Sequence, residues 1–183
     1  MSLRTVLVCL LAALAMFLWG FVFWTLPHPL EAFSTGLDNE KVQTALRDLI
    51  PADGAYAVPE FSEGSSMDSW MAQHRQGPIA TLLVRKGGAE PGAPTVFLFG
   101  YLHMFATCLL IAWLLGKCGA SLATFGAKVG LVAMAGFAGS FWIHVSAPIW
   151  MLQPWHYHLA SVFYDVVAWV LAGLILAKWG RTG

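Results

Sequence analysis

The sequence predicts an all-α membrane fold: a four-transmembrane-helix bundle with a small extracytoplasmic α+β insertion between helices 1 and 2. Three observations carry this reading. Four apolar stretches, residues 5–26, about 95–116, 129–150 and 157–178, are each long enough to cross ~30 Å of hydrocarbon at ~1.5 Å per residue. The charges sort by segment. Arg4, Lys117, Lys128, Lys178 and Arg181 flank the stretches at the chain ends and between the second and third, with no acid among them. The segment between the first two stretches carries nine acids against five bases. Because Lys and Arg mark the cytoplasmic side, both termini are expected inside and residues 27–94 outside. Composition agrees: 58% of residues are hydrophobic and 11% charged, against roughly 25% charged in a soluble domain.

The chain accordingly divides into helix 1 (residues 1–26), the insertion (27–94) and helices 2–4 (95–183). The first stretch has the Arg-then-apolar start of a secretory signal, but its apolar run exceeds the 7–15 residues of a signal core. Cleavage after Ala13-Leu14-Ala15 would fall inside that run, so a retained span is expected. Trp24, Trp150, Trp155 and Trp179 sit where interfacial anchors belong, indole having an apolar body and one polar N–H. Zero net charge argues against a nucleic-acid partner.

Within the insertion, Asp38 can cap an amphipathic helix over residues 38–50. Val42, Ala45, Leu46, Leu49 and Ile50 fall at helical spacing, and Pro51 ends the run. Residues 54–59 read as a short strand, 65–75 as a capped helix stopped by Gly77-Pro78, and 79–85 as a second strand able to pair with the first. A unit this small buries little surface alone and is expected to lean on the spans or on a partner. None of Cys9, Cys108 and Cys118 lies in it, which excludes a disulfide staple there. No C-x-x-C pair exists.

Helix-packing signals concentrate in the last two spans. Gly126-x-x-x-Gly130, Ala135-x-x-x-Gly139 and Gly136-x-x-x-Ser140 stripe helix 3, and Ala168-x-x-x-Ala172 stripes helix 4. Small residues let backbones approach closely in lipid, either inside the bundle or between two copies of the chain.

Ionisable groups inside apolar spans are costly and therefore candidate sites. His103, His144 and Asp165 lie about eight, six and seven residues from the outer ends of their spans, a shared depth of ~9–12 Å. Ser161 and His158 lie one and two turns outward of Asp165 on its face. Pro148 leaves the His144 carbonyl without its usual donor. Such a layer can hold an ion pair or a proton. His103 and His144 could bind haem b as axial ligands, and His103, His144 and Asp165 a transition metal such as zinc or iron. The alternative is that the three groups satisfy one another as polar glue. His156 and His158, in the expected outer turn at residues 154–158, form a second candidate metal site for copper or zinc, with His28 and His74 also outside. The inner halves of the spans are nearly all apolar, which disfavours proton or solute transport. No P-loop, G-x-G-x-x-G, G-x-S-x-G or H-E-x-x-H occurs. The carboxylates Glu31, Asp38, Glu40, Asp48, Asp53, Glu60, Glu63 and Asp68 read as a solvated face.

Several short stretches occur together in a fixed order: Phe17-Leu18-Trp19-Gly20-Phe21, the helix over residues 40–50, Gly54-Ala55-Tyr56 leading to Pro59, Trp70-Met71 leading to Gln76-Gly77-Pro78, and Ala168-Trp169-Val170-Leu171-Ala172-Gly173-Leu174. In these the chain resembles a family of small uncharacterised bacterial inner-membrane proteins. The resemblance implies the same architecture, one span, an outer α+β insertion and three spans, and supplies no activity. The expectation from sequence is thus a non-catalytic integral membrane protein acting through the lipid bilayer and a membrane-protein partner, or a second copy of itself. An accessory or assembly subunit fits this. No cofactor is predicted; the rival is a haem- or metal-binding protein using the His–His–Asp layer.

Overall fold

The computed structural model describes residues 2–27, 30, 32–118 and 121–180. Among these are six helices and one two-stranded sheet: α1 (Leu3–Thr25), α2 (Asn39–Leu49), β1 (Gly54–Val58), α3 (Met67–Gln76), β2 (Ala80–Val84), α4 (Pro94–Cys118), α5 (Phe125–Trp150) and α6 (Trp155–Trp179). Helices α1, α4, α5 and α6 are long and apolar enough to cross a membrane. This is a multi-pass membrane protein. Two compact units emerge, one of Met1–Ala32, Gly92–Ser146 and Trp155–Gly183, the other of Phe33–Pro91 with Ala147–Pro154.

In the helical unit, α1 packs on both α4 and α6. Its buried face mixes small residues with Val8, Met16 and Phe23. Thr5, Cys9, Ala12, Ala13 and Gly20 lie on the buried face, while Leu3, Leu7, Leu11, Leu14 and Leu18 form an exposed stripe. Small residues bring backbones together where lipid offers no hydrophobic contrast, and the leucines suit acyl chains. Polar tips that enter this interface find backbone carbonyls. Tyr101 Oη donates to the Leu10 carbonyl at 3.0 Å, and Trp19 Nε1 donates to that of Tyr164 at 3.0 Å. Each bond removes a donor that apolar surroundings would leave unsatisfied. The Cys9 thiol donates to the Cys108 carbonyl at 3.5 Å, and the Cys108 thiol lies 3.7 Å from the Met16 sulfur. Arg4 Nε donates to the Trp179 carbonyl at 3.1 Å, tying the start of α1 to the end of α6. A cation there also suits the negative end of the α6 dipole.

Helix α6 meets α5 through small residues. Gly173 stands against Val132, and a Cβ on Gly136 would fall 2.0 Å from Trp169 Cγ. Ser140, Ala168 and Ala172 are buried, so the Gly136-x-x-x-Ser140 and Ala168-x-x-x-Ala172 stripes face inward. At Gly126, Gly130 and Gly139 a Cβ would meet nothing within 4 Å. Trp24, Trp150, Trp155 and Trp179 all fall in terminal turns of the spanning helices and are exposed, as anchors should be.

In the second unit, Asp38 caps α2, accepting from the Lys41 amide at 3.2 Å and pairing with its ammonium at 2.8 Å. These contacts, the ammonium foremost, hold the Asp38 carboxyl below its ordinary value. Ser66 caps α3, accepting from Ser69 N at 3.1 Å, and Gly77 closes it at φ 67°, a conformation that favours glycine. The predicted helix at 65–75 thus starts two residues later and ends one later. Strands β1 and β2 pair antiparallel from Gly54↔Val84 to Val58↔Ala80. Tyr56 Oη donates to the Ala52 carbonyl at 2.7 Å, and Trp70 Nε1 to that of Pro59 at 3.3 Å. Neither α2 nor α3 contains a buried residue.

The Gly136–Trp169 contact leaves no room for a methyl group. Gly136→Ala should lower unfolding stability in detergent by about 1–3 kcal/mol through overpacking. Gly130→Ala, made into open space, should change it by less than about 0.5 kcal/mol. Thermal or denaturant unfolding of the two variants side by side checks the difference.

Candidate functional site

Five polar residues line the α5–α6 pair toward its hairpin end: Ser140 and His144 on α5, and His158, Ser161 and Asp165 on α6. Spacings of three, four and seven residues put each set on one helix face. His144 is the centre. Its Nε2 lies 3.3 Å from Asp165 Oδ2, and its Nδ1 lies 3.4 Å from His158 Nδ1, the two rings inclined at 47°. His158 is buried, and the side chains of His144 and Asp165 keep 20% and 28% of their exposure. Ser161 Oγ donates to the Tyr157 carbonyl at 2.9 Å within its own helix. Ser140 Oγ, one turn along α5 from His144, is buried and without a hydrogen-bond partner among the described residues.

The distances define a consistent set of protons. A carboxylate only accepts, so His144 Nε2 carries the hydrogen facing Asp165. With both imidazoles neutral, His144 Nδ1 then accepts from His158 Nδ1–H. The three groups thus form a chain, Asp165–His144–His158, in which each partner of His144 engages a different ring nitrogen.

Not all the residues singled out from sequence converge here. His103 lies on the exposed side of α4; its carbonyl accepts from Thr107 Oγ1 at 3.0 Å, and its side chain makes no hydrogen bond, ion pair or ring contact among the described residues. The shared depth of the three groups depended on a later start for α6, at about residue 157. The helix begins at Trp155, so Asp165 lies ten residues in, ~15 Å along the axis, against ~9 Å for His144. Their side chains close that offset. His156 and His158 were expected in a turn and are instead both in the first turn of α6. Two residues at 100° each point them to different sides, one exposed and one buried. His74 packs against Trp70, rings 5.0 Å apart. His28 and Glu31 lie outside the described residues.

This geometry bears on metal and haem. Asp165 and His158 engage opposite nitrogens of one imidazole, so they cannot face a common ion. Among the described residues no three His, Cys, Asp or Glu side chains form a group that could hold a metal. Both nitrogens of His144 are engaged, leaving neither aimed at a haem iron shared with His103. Sequence reasoning placed His158 on the face of Asp165 but missed its contact with His144, which depends on how α5 meets α6. The seven-residue spacing from His158 to Asp165 was the available signal. Comparison with known protein families, with curated proteins and with solved structures finds no match. The site is therefore read from its own geometry.

As a structural pair, His144 and Asp165 should show a coupling of about 0.6–1.7 kcal/mol in a double-mutant cycle of His144→Ala and Asp165→Ala. His103→Ala should be uncoupled from either. Unfolding in mixed micelles of the wild type, the three single variants and the three double variants measures these couplings.

Proposed function

We propose that this chain is a non-catalytic integral membrane protein serving as an accessory or assembly subunit of a larger membrane complex. The observation that supports it most is the unfinished second unit. Its helices bury no residue, and Leu49 and Leu83 remain 79% and 82% exposed. Apolar side chains held out by ordered elements suit a surface completed by another protein. The ladder at His144 adds to this, since its groups satisfy one another rather than presenting an activated nucleophile or an open ligand position.

The reading places the chain in a bacterial inner membrane. Arg4, Lys117, Lys128 and Lys178 lie on the cytoplasmic side and the acidic second unit outside. The Arg4–Trp179 contact supports an even number of crossings, because the first and last spanning helices start and finish together.

Extraction in mild detergent should give a native-gel mass well above that of the chain, and Leu49→Asp with Leu83→Asp should release the chain to a small species. Migration of the wild type alone would sink the accessory reading. A membrane-impermeant thiol reagent applied to intact cells should label a Ser65→Cys variant and spare Cys118; the reverse pattern would invert the topology.

A further inference from the structure

The second unit contains a concave pocket of about 350 Å³ whose charge opposes that of the segment around it. Leu46 and Arg47 of α2 form one wall, and Val84, Arg85 and Lys86 at the end of β2 form the other. Residues 27–94 carry nine acids and five bases, yet three of those five bases meet here and no acid lines the pocket. Arg47 and Arg85 are exposed and form no ion pair among the described residues. The Lys86 ammonium donates to the Pro51 carbonyl at 3.4 Å. Asp53 is occupied beside it, its carboxylate accepting from the Lys86 backbone N–H at 2.7 Å. Gly87 and Gly88 complete the rim, and a Cβ on either would meet nothing within 4 Å, so the backbone there is open to approach.

We propose that this pocket binds a phosphate group carried on a partly apolar molecule. Two guanidinium groups offer the planar, paired donors that fit phosphate oxygens, and Lys86 adds a compact third charge. Bringing three cations together is unfavourable by itself, and a doubly or singly charged anion between them reverses the sign. Leu46 and Val84 supply an apolar wall for the body attached to the phosphate, as ligand sites of this volume usually do. An anionic phospholipid headgroup and a soluble phosphate compound share this chemistry.

The test is calorimetric titration of the purified full chain in neutral detergent with two probes, inorganic phosphate and short-chain phosphatidylglycerol. Wild type should bind, more weakly as salt rises toward ~0.15 M. Arg47→Gln with Arg85→Gln should weaken binding at least about tenfold, the loss expected for charge-assisted bonds. Arg75→Gln, removing a base in the last turn of α3 outside the pocket, should leave affinity unchanged. The Arg47→Lys, Arg85→Lys pair, which keeps the charge and loses the paired donors, should bind more weakly than wild type and more tightly than the Gln pair, separating loss of charge from loss of fold. Binding of both probes identifies the phosphate itself as sufficient, and binding of the lipid alone makes the headgroup the ligand. Binding of neither, or equal binding by the Gln pair, overturns the proposal.

Discussion

The helical unit depends on how closely α1 approaches its neighbours. In water a helix is held by the apolar stripe it hides, but in lipid that contrast disappears and dispersion, shape and backbone polarity must serve. Helix α1 meets this with size. Its buried face carries Thr5, Cys9, Ala12, Ala13 and Gly20 alongside Val8, Met16 and Phe23, and five of its leucines point away. Close approach then lets Tyr101 and Trp19 reach main-chain carbonyls across the interface. Larger residues at Ala12 or Ala13 would separate the helices and strand those donors. The same logic recurs where Trp169 fills the groove left by Gly136, on the helix face that carries the polar ladder.

That ladder follows from the α5–α6 contact. An isolated carboxylate in hydrocarbon is unfavourable by several kcal/mol unless it is paired or neutralised. Asp165 is paired, through an imidazole that is itself held by a second imidazole. Because His144 spends one nitrogen on each neighbour, the three groups form a chain rather than a converging set. A chain of contacts orients helices, whereas an ion needs donors aimed at one point. This distinction, more than the identity of the residues, sets the chemistry available.

The second unit follows opposite rules. Its local structure is well specified by caps at Asp38 and Ser66, a glycine stop at Gly77 and a two-stranded register, yet it encloses almost no core. A two-stranded sheet and two short helices cannot bury enough apolar area to be self-sufficient. What the unit does build is surface: exposed leucines on one hand and a basic hollow in an acidic segment on the other.

By itself the sequence determined the spanning helices, their approximate ends, the caps and the two strands. Those features follow from local chemistry: apolar run length, side-chain oxygens before helices, and glycine or proline after them. It also marked Asp165 and His144, because an ionisable group within an apolar run is visible without any contact. Only the tertiary structure decided which groups meet. His103 shares an approximate depth with His144 but faces outward, since depth fixes position along a helix and says nothing about rotation around it. The start of α6 at Trp155, rather than at about residue 157, puts both His156 and His158 on the helix, one exposed and one buried. The gathering of Arg47, Arg85 and Lys86 was equally invisible, because these bases come from a helix and a strand some forty residues apart. That they line one pocket follows from the fold, and no local periodicity encodes it.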